Sequence, residues 1–154
     1  MNNELHIKTQ LYSKCQEFVS ERLKRIQNRI VDIETSLKSE TKSTAGDKHE
    51  TGRAMLQLER EKSGAQLAQI QSVQQLLAKV NIQNSSGSSI SLGSLVITNR
   101  ANYFIAISAG QIEIDGQEYL AVAANTPIGK VLLGKKVDDE VIFNGNSMQI
   151  TRII

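Results

Sequence analysis

The apolar residues in the first third of the chain recur at intervals of three or four, and this spacing restricts the fold more than any other feature. Between residues 11 and 37 they occupy Cys15, Val19, Leu23, Ile26, Ile30, Ile33 and Leu37. No proline or glycine occurs before Gly46. The stripe predicts a long amphipathic helix, and a stripe this narrow is buried when a second helix faces it.

A second helical pattern follows and supplies that partner. Its apolar positions are Met55, Leu58, Ala65, Leu67, Ile70, Val73, Leu77 and Val80. If the chain folds back at Gly46, Leu37 comes to lie opposite Met55. We therefore predict an antiparallel α-helical coiled-coil hairpin over residues 1–82, with its tip near residues 40–50. At about 1.5 Å per residue, each arm is roughly 45 Å long.

The pattern changes again after the second helix. Residues 83–94 are rich in Ser, Gly and Asn and predict a linker or lead-in. Residues 95–154 contain short runs rich in Val, Ile, Tyr and Phe, namely SLVIT, YFIAIS, QIEID, EYLAVAA, DEVIF and MQITRI. Runs of this kind predict strands. Asp115 and Gly116 lie between the third and fourth runs, where they predict a tight hairpin turn.

One short helix is predicted among these strands. Asn125 or Thr126 is suited to cap it, Pro127 suits its first position, and Gly134 suits its end. We therefore predict an α+β protein in which the hairpin precedes a small antiparallel β-sheet domain with one short helix.

Composition and charge exclude several classes of function. The longest apolar run, at residues 119–124, is too short to span a membrane, and the first ten residues do not resemble a secretory signal. We therefore expect a cytoplasmic protein without a membrane partner. Cys15 is the only cysteine, which excludes an intrachain disulfide, and it is expected to be a small core residue. A net charge of +2 is too small to predict binding to free nucleic acid.

Two stretches resemble the Gre transcript-cleavage factors of bacterial RNA polymerase. TPIGKVLLGKKVDDEV, residues 126–141, is similar to the family signature S-P-[IL]-[AG]-x-A-L-[IL]-G-K-x-x-G-D-x-V. The matching residues are Pro127, Ile128, Gly129, Leu132, Leu133, Gly134, Lys135, Asp139 and Val141. GDKHE, at the predicted tip, is similar to the family motif G-D-x-x-E and places Asp47 and Glu50 on its two acidic positions.

The resemblance implies a fold, partners and a mode of action. The domain at residues 95–154 would be FKBP-like and would dock on the rim of the polymerase secondary channel. We place this contact at Pro127, Ile128, Gly134 and Lys135. The hairpin would enter the channel and bring its tip to the polymerase active site and the RNA 3′ end of a backtracked complex.

In that setting Asp47 and Glu50 would act as tip acids that share a Mg²⁺ ion with the polymerase. Mg²⁺ takes oxygen ligands and often needs only one or two carboxylates from a given protein. The chain itself would then be no enzyme, since the polymerase performs the cleavage, and no cofactor would be tightly bound. We expect the free protein to be a monomer.

The sequence also departs from the family pattern and leaves alternatives open. The motif usually continues Asn-Ala-Glu-Tyr, whereas Glu50 is followed by TGRAM, and Val131 and Asp138 replace Ala and Gly of the signature. A non-catalytic regulator or inhibitor that occupies the channel is therefore the alternative function. A coiled-coil adaptor unrelated to polymerase is a third.

Simpler structural roles are also open for the polar residues near the tip and along the first helix. Asp47 and Glu50 are spaced as in a capping box. Glu40 is interpreted as a solvated helix end, and His49 as an exposed turn residue. Finally, Arg22, Arg25 and Arg29 share one helix stripe, which could follow RNA or be a solvated face.

Overall fold

The structure is a computed structural model that describes residues 3–42, 46–83 and 89–154, without the side chains of residues 41, 42 and 46–49. Two long helices come first, and six strands with one short helix follow. The elements are α1 (Asn3–Lys42), α2 (Gly46–Ala78), β1 (Leu95–Thr98), β2 (Asn102–Ala106), β3 (Gly110–Ile114), β4 (Gln117–Ala123), α3 (Pro127–Leu132), β5 (Glu140–Phe143) and β6 (Asn146–Ile153). The chain is therefore α+β, as predicted.

Two compact units share these elements. One unit contains the start of α1, the end of α2 and all the strands, which we call the head unit. The other unit, Val19–Gln74, contains the remaining turns of both helices and is called the helical unit.

The buried stripe of α1 follows the predicted positions. Leu11 and Cys15 are fully buried in the head unit, and Ile30 and Ile33 are buried in the helical unit. Burial raises the pKa of the Cys15 thiol from 9.0 to about 12, because the thiolate would lose its hydration. The prediction that Cys15 is a core residue is confirmed.

The predicted stripe of α2 is wrong in its first half. Met55 and Leu58 are 66% and 68% exposed. The inward side instead follows a seven-residue repeat, in which Leu56 is half-buried and Ser63, Ile70 and Leu77 are buried. Ser63 is 2% exposed although it is polar. A prediction from apolar residues alone leaves Ser63 out and therefore places the buried stripe on the wrong side of the first half of α2.

Each unit contains contacts between the two helices. In the head unit, the Tyr12 hydroxyl donates to the Leu77 carbonyl at 3.1 Å. In the helical unit, Arg29 pairs with Glu59 and Arg60 pairs with Glu34, both at 3.2 Å. These ion pairs flank the apolar stripe, and since their side chains are largely exposed each adds little to stability.

The strands form a mixed sheet, which corrects the prediction of an antiparallel one. Its order is β3-β4-β2-β1-β6-β5, and β2 pairs with β4 in parallel, with Tyr103 opposite Leu120. The reason is that β3 and β4 form a hairpin whose second strand lies next to β2. Consequently β4 runs in the direction of β2, and β3 becomes an edge strand.

The hairpin between β3 and β4 turns at the two residues predicted from the sequence. Asp115 and Gly116 both have positive φ, at 51° and 80°. Two-residue hairpin loops of this kind match the right-handed twist of the strands, and Asp-Gly adopts them at low cost. The predicted turn is confirmed.

The core of the head unit lies between one face of the sheet and α3. Its buried members are Ile90, Val96, Ile105, Leu132, Val141, Met148 and Ile150. Ile90 precedes the first strand, and its N–H and carbonyl bond to the Lys135 carbonyl and the Gly134 N–H, each at 2.8 Å. The segment before β1 therefore contributes a core residue. Within the described residues, no helix is both long and apolar enough to cross a membrane.

Candidate functional site

The acids predicted for the tip lie at the start of α2. The helix begins at Gly46, so the backbone of Asp47 is already helical. A capping box would place its first residue before the helix, and Asp47 is therefore not in the capping position. The side chains of Asp47 and His49 lie outside the described residues. Glu50 is exposed, and residues three apart on a helix lie on the same side, so Asp47 and Glu50 share one side of α2.

Glu40 differs from its expected role as a solvated helix end. It is half-buried, and a Cβ on Gly52 would lie 3.7 Å from the Glu40 Oε1 atom. The carboxylate of Glu40 therefore lies against the second turn of α2, at a position without a side chain. A glycine inside a helix lowers stability by about 1 kcal/mol relative to alanine. The presence of Gly52 within a predicted helix was therefore the sequence signal that this position has a local role.

The described side chains at the start of α2 offer oxygen ligands for a Mg²⁺ ion but do not form a complete site. Within the residues that the structure describes, no group of three or more His, Cys, Asp or Glu side chains is close enough to hold a metal. The exposed Glu50 carboxylate matches the oxygen ligands that Mg²⁺ prefers. Glu50 is therefore chemically suited to be one oxygen ligand of a Mg²⁺ ion.

The four residues predicted to bind polymerase differ in their exposure. Pro127 and Gly134 are exposed, at the two ends of α3. Ile128 packs against the core of the head unit, and the Lys135 carbonyl accepts the Ile90 N–H. Of the four, only Pro127, Gly134 and part of Lys135 are therefore open to a partner.

Several residues of the signature segment also have structural roles in α3. Thr126 caps α3 by accepting the Gly129 N–H at 3.1 Å, and Pro127 occupies the first turn. A Cβ on Gly129 would lie 2.1 Å from the Ala123 carbonyl oxygen, so no larger residue fits there. Gly134 has a φ of +82°, as expected of the residue that ends a helix. The predicted cap, start and end of α3 are confirmed.

Two exposed apolar residues beside α3 were missed. Leu133 is 38% exposed and Val137 is 39% exposed, both within five residues of the end of the helix. Leu133 belongs to the signature match, but the sequence alone did not show that it points outward while Leu132 is fully buried. Together with Pro127 they add apolar surface to the predicted contact.

The arginine stripe of α1 has interaction partners at two of its three positions. Arg29 donates to the Glu59 Oε1 atom at 3.2 Å, and Arg22 also has an interaction partner. Arg25 is exposed. This arrangement matches the interpretation of a solvated face with ion pairs more closely than that of a track for RNA.

The chain matches no model of a known protein family and no curated protein. The residues and their geometry are therefore the basis for inferring its function.

Proposed function

We propose that this protein is a Gre-type factor that binds the secondary channel of bacterial RNA polymerase and stimulates cleavage of backtracked RNA. The segment at residues 126–141 is the observation that carries the proposal. Thr126 caps α3, and the matching residues Gly129 and Leu132 are buried. Three other matching residues, Pro127, Leu133 and Gly134, remain exposed around the helix. A packed helix with exposed apolar residues around it is suited to docking on another protein.

We propose in addition that α1 and α2 form an antiparallel coiled-coil hairpin and that the head unit is FKBP-like. The hairpin is supported by contacts inside the helical unit, where Arg29 pairs with Glu59 and the Glu40 carboxylate lies against Gly52. One residue number rises while the other falls, as antiparallel helices require. The FKBP-like assignment is supported by the mixed sheet with α3 packed on one face.

In the proposed mechanism, the chain brings carboxylates to an active site that belongs to the polymerase. A second Mg²⁺ held there would complete a pair of ions, and such a pair stabilises the attacking and leaving oxygens of phosphodiester cleavage. Asp47 and Glu50 would hold that ion from one side of α2. Glu40, which lies against the same helix two turns from its start, would add negative charge nearby.

The proposal is tested with stalled, backtracked elongation complexes supplied with Mg²⁺ and the purified protein, following the length of the RNA 3′ end. We expect shortening with the natural chain. Asp47→Asn and Glu50→Gln should each reduce the cleavage rate by about 10²-fold, a typical cost of removing one electrostatic contact to the transition state. Glu61→Gln is the matched control, because Glu61 is an exposed acid farther along α2, and it should cleave normally.

Other outcomes separate the alternatives. Binding to polymerase without RNA shortening would support the non-catalytic channel regulator. Absence of binding would contradict the family assignment and leave the coiled-coil adaptor. If binding is seen, Leu133→Asp and Val137→Asp should weaken it, whereas Asp47→Asn should leave it unchanged.

A further inference from the structure

The outer side of β3 is an open edge of the sheet. β3 pairs with β4 on one side, and within the described part of the chain no strand lies on its other side. The hairpin closes with Ile114 opposite Gln117, so the backbone N–H and carbonyl groups of Ile114 and Ile112 point toward β4. Those of Gln111 and Glu113 therefore point outward, and both residues are exposed. Each offers one donor and one acceptor to an incoming strand.

The edge of β3 has few of the features that usually prevent strand addition. Natural edge strands are often protected by a bulge, a proline or a lysine. β3 contains no proline or lysine, and its register with β4 is continuous from Gly110 to Ile114. Glu113 is the one charged residue of the strand. A glutamate repels an acidic strand but attracts a basic one, so the edge remains open to a strand of the opposite charge.

The hairpin of β3 and β4 is acidic. Glu113 lies opposite Glu118, and both are exposed. They occupy a non-hydrogen-bonded pair, in which the side chains of neighbouring strands come closest, so the like charges oppose each other. Asp115 in the turn adds a third acid, and no Lys or Arg occurs between Arg100 and Lys130. Within the described residues neither glutamate forms an ion pair, so this negative charge is not balanced locally.

The face of the hairpin that carries the two glutamates has room for a long side chain. A cleft of about 270 Å³ lies there, with Gln111, Glu118 and Leu120 among its lining residues. Gln111 and Glu118 provide oxygen atoms that can accept hydrogen bonds from an ammonium or guanidinium group. Arg100 also lines the cleft, but its Nε atom donates to the Ser147 carbonyl oxygen at 2.7 Å, which holds the guanidinium toward β6.

We propose that β3 docks an extended basic segment of a partner protein, which adds to the sheet as an antiparallel strand with Lys or Arg at alternate positions. Its backbone would bond to the outward groups of Gln111 and Glu113, and its basic side chains would lie opposite these residues, near Glu118. The intervening side chains would be apolar, because they would lie beside the buried Ile112. These residues are not part of the predicted polymerase contact, so the proposal does not depend on it.

The first test titrates the full chain with three short peptides, followed by nuclear magnetic resonance. Val-Lys-Val-Lys-Val, with both ends blocked, should bind saturably. Val-Glu-Val-Glu-Val should bind at least about tenfold more weakly, because its charges repel the hairpin. The lysine peptide with N-methylated lysine amides should also bind at least about tenfold more weakly, because it lacks the N–H groups that face β3. Equal binding of either control peptide would overturn the proposal.

Hydrogen exchange locates the contact without any substitution in the protein. When the lysine peptide binds, exchange of the Gln111 and Glu113 amides should slow, since these N–H groups gain acceptors. The amides of Ile112 and Ile114 already bond to β4 and should change little. Slower exchange only at β5, the other edge strand, or no change at β3 would overturn the proposal.

The third test uses matched variants of exposed acids. Glu113→Gln and Glu118→Gln should each weaken binding of the lysine peptide by about threefold, as expected for one cross-strand charge pair. Their binding should also depend less on salt concentration. Glu140→Gln is the control, because Glu140 is an exposed acid on β5, and it should bind as the natural chain does. Unchanged affinity in both β3–β4 variants would contradict the proposal.

A second copy of this chain is the competing occupant of the edge. If β3 paired with β3 of another copy, sedimentation equilibrium would show a dimer without peptide. The Gln111 and Glu113 amides would then exchange slowly in the free protein, and more slowly at higher protein concentration. We expect a monomer with rapid exchange at both amides until the lysine peptide is added, and the dimer result would overturn the proposal.

Discussion

The head unit and the helical unit bury their apolar residues in different ways. In the head unit, strands, α3 and the segment before β1 all contribute to one cluster, which includes the fully buried Ile105, Leu132 and Ile150. In the helical unit, each helix presents a single stripe, and α2 includes the polar Ser63 in it. A buried residue in a cluster touches many neighbours, whereas one in a stripe touches few. We therefore expect substitutions to cost more in the head unit.

The chain provides separate signals for the two units. Its three tyrosines, Tyr12, Tyr103 and Tyr119, all lie in the head unit, and it has no tryptophan. Tyrosine fluorescence therefore reports on the head unit, while far-ultraviolet circular dichroism is dominated by the long helices. Urea denaturation followed by both signals gives the free energy of unfolding that each prediction below refers to.

The largest effect is expected at the start of α3. Gly129→Ala should lower the free energy of unfolding of the head unit by about 3 kcal/mol or more. The new Cβ would lie 2.1 Å from the Ala123 carbonyl oxygen, which is a backbone atom with little room to move. Tyrosine fluorescence should show the loss. A change below about 1 kcal/mol would mean that α3 is not packed as described.

A smaller loss is expected in the helical unit. Ile33→Ala removes a side chain that is 4% exposed and should cost about 2 kcal/mol, the lower end for such truncations, because a stripe can partly close around the gap. Leu58→Ala is the control, since Leu58 is 68% exposed, and should change stability by less than about 0.5 kcal/mol. If Leu58→Ala lowers the free energy of unfolding as much as Ile33→Ala does, Leu58 is buried. The stripe of α2 predicted from the sequence would then be right, and the observed stripe would be wrong.

Cys15 gives a prediction about pH. Its pKa is raised from 9.0 to about 12 in the folded protein, so the folded chain holds this proton more tightly than the unfolded one. The stability that the protonated thiol contributes is complete below pH 9 and is lost as the pH rises from about 9 to about 12. Cys15→Ala should reduce this loss in a denaturation series across that range. A thiol reagent should react with the natural chain at pH 9 only after urea is added, and rapid reaction without urea would contradict the described burial.

The smallest effect is expected at Gly64. Gly64→Ala should stabilise the helical unit by about 0.5 kcal/mol, less than the full helix propensity gain of about 1 kcal/mol. The new Cβ would lie 3.1 Å from an Arg60 terminal nitrogen, which must shift, and Arg60 pairs with Glu34. Alanine should therefore raise the free energy of unfolding at Gly64 and lower it at Gly129. The two substitutions together distinguish a glycine that the fold requires from one that it does not.

Local signals in the sequence predicted the elements well. The six strands, the Asp115-Gly116 turn and the capped start of α3 all depend on residues within a few positions of one another. The sheet order was not predictable in this way, because the parallel pairing of β2 with β4 depends on where a finished hairpin docks. The side of α2 that is buried was predicted wrongly for a different reason. Ser63 is buried because of its position in the repeat, although it is polar.

The candidate site was less predictable than the fold. Sequence resemblance selected Pro127, Ile128, Gly134 and Lys135 together, but only burial separates the packed Ile128 from the exposed Pro127. Lys8 is 1% exposed, but it drew no attention in the sequence, because a lysine among polar residues near a helix start is usually solvated. Its burial follows from a contact with a residue 146 positions away, which no local pattern reveals.

That separation has a consequence for synthesis on the ribosome. The turn of α1 that contains Lys8 is translated before every strand of the sheet, and its acceptor at Ile154 is translated after β1 to β5. Until β6 emerges, β1 has β2 on one side only, and the Lys8 ammonium must remain in water. This part of α1 is therefore among the last parts of the head unit to reach its final surroundings, although it is translated before all the strands of that unit.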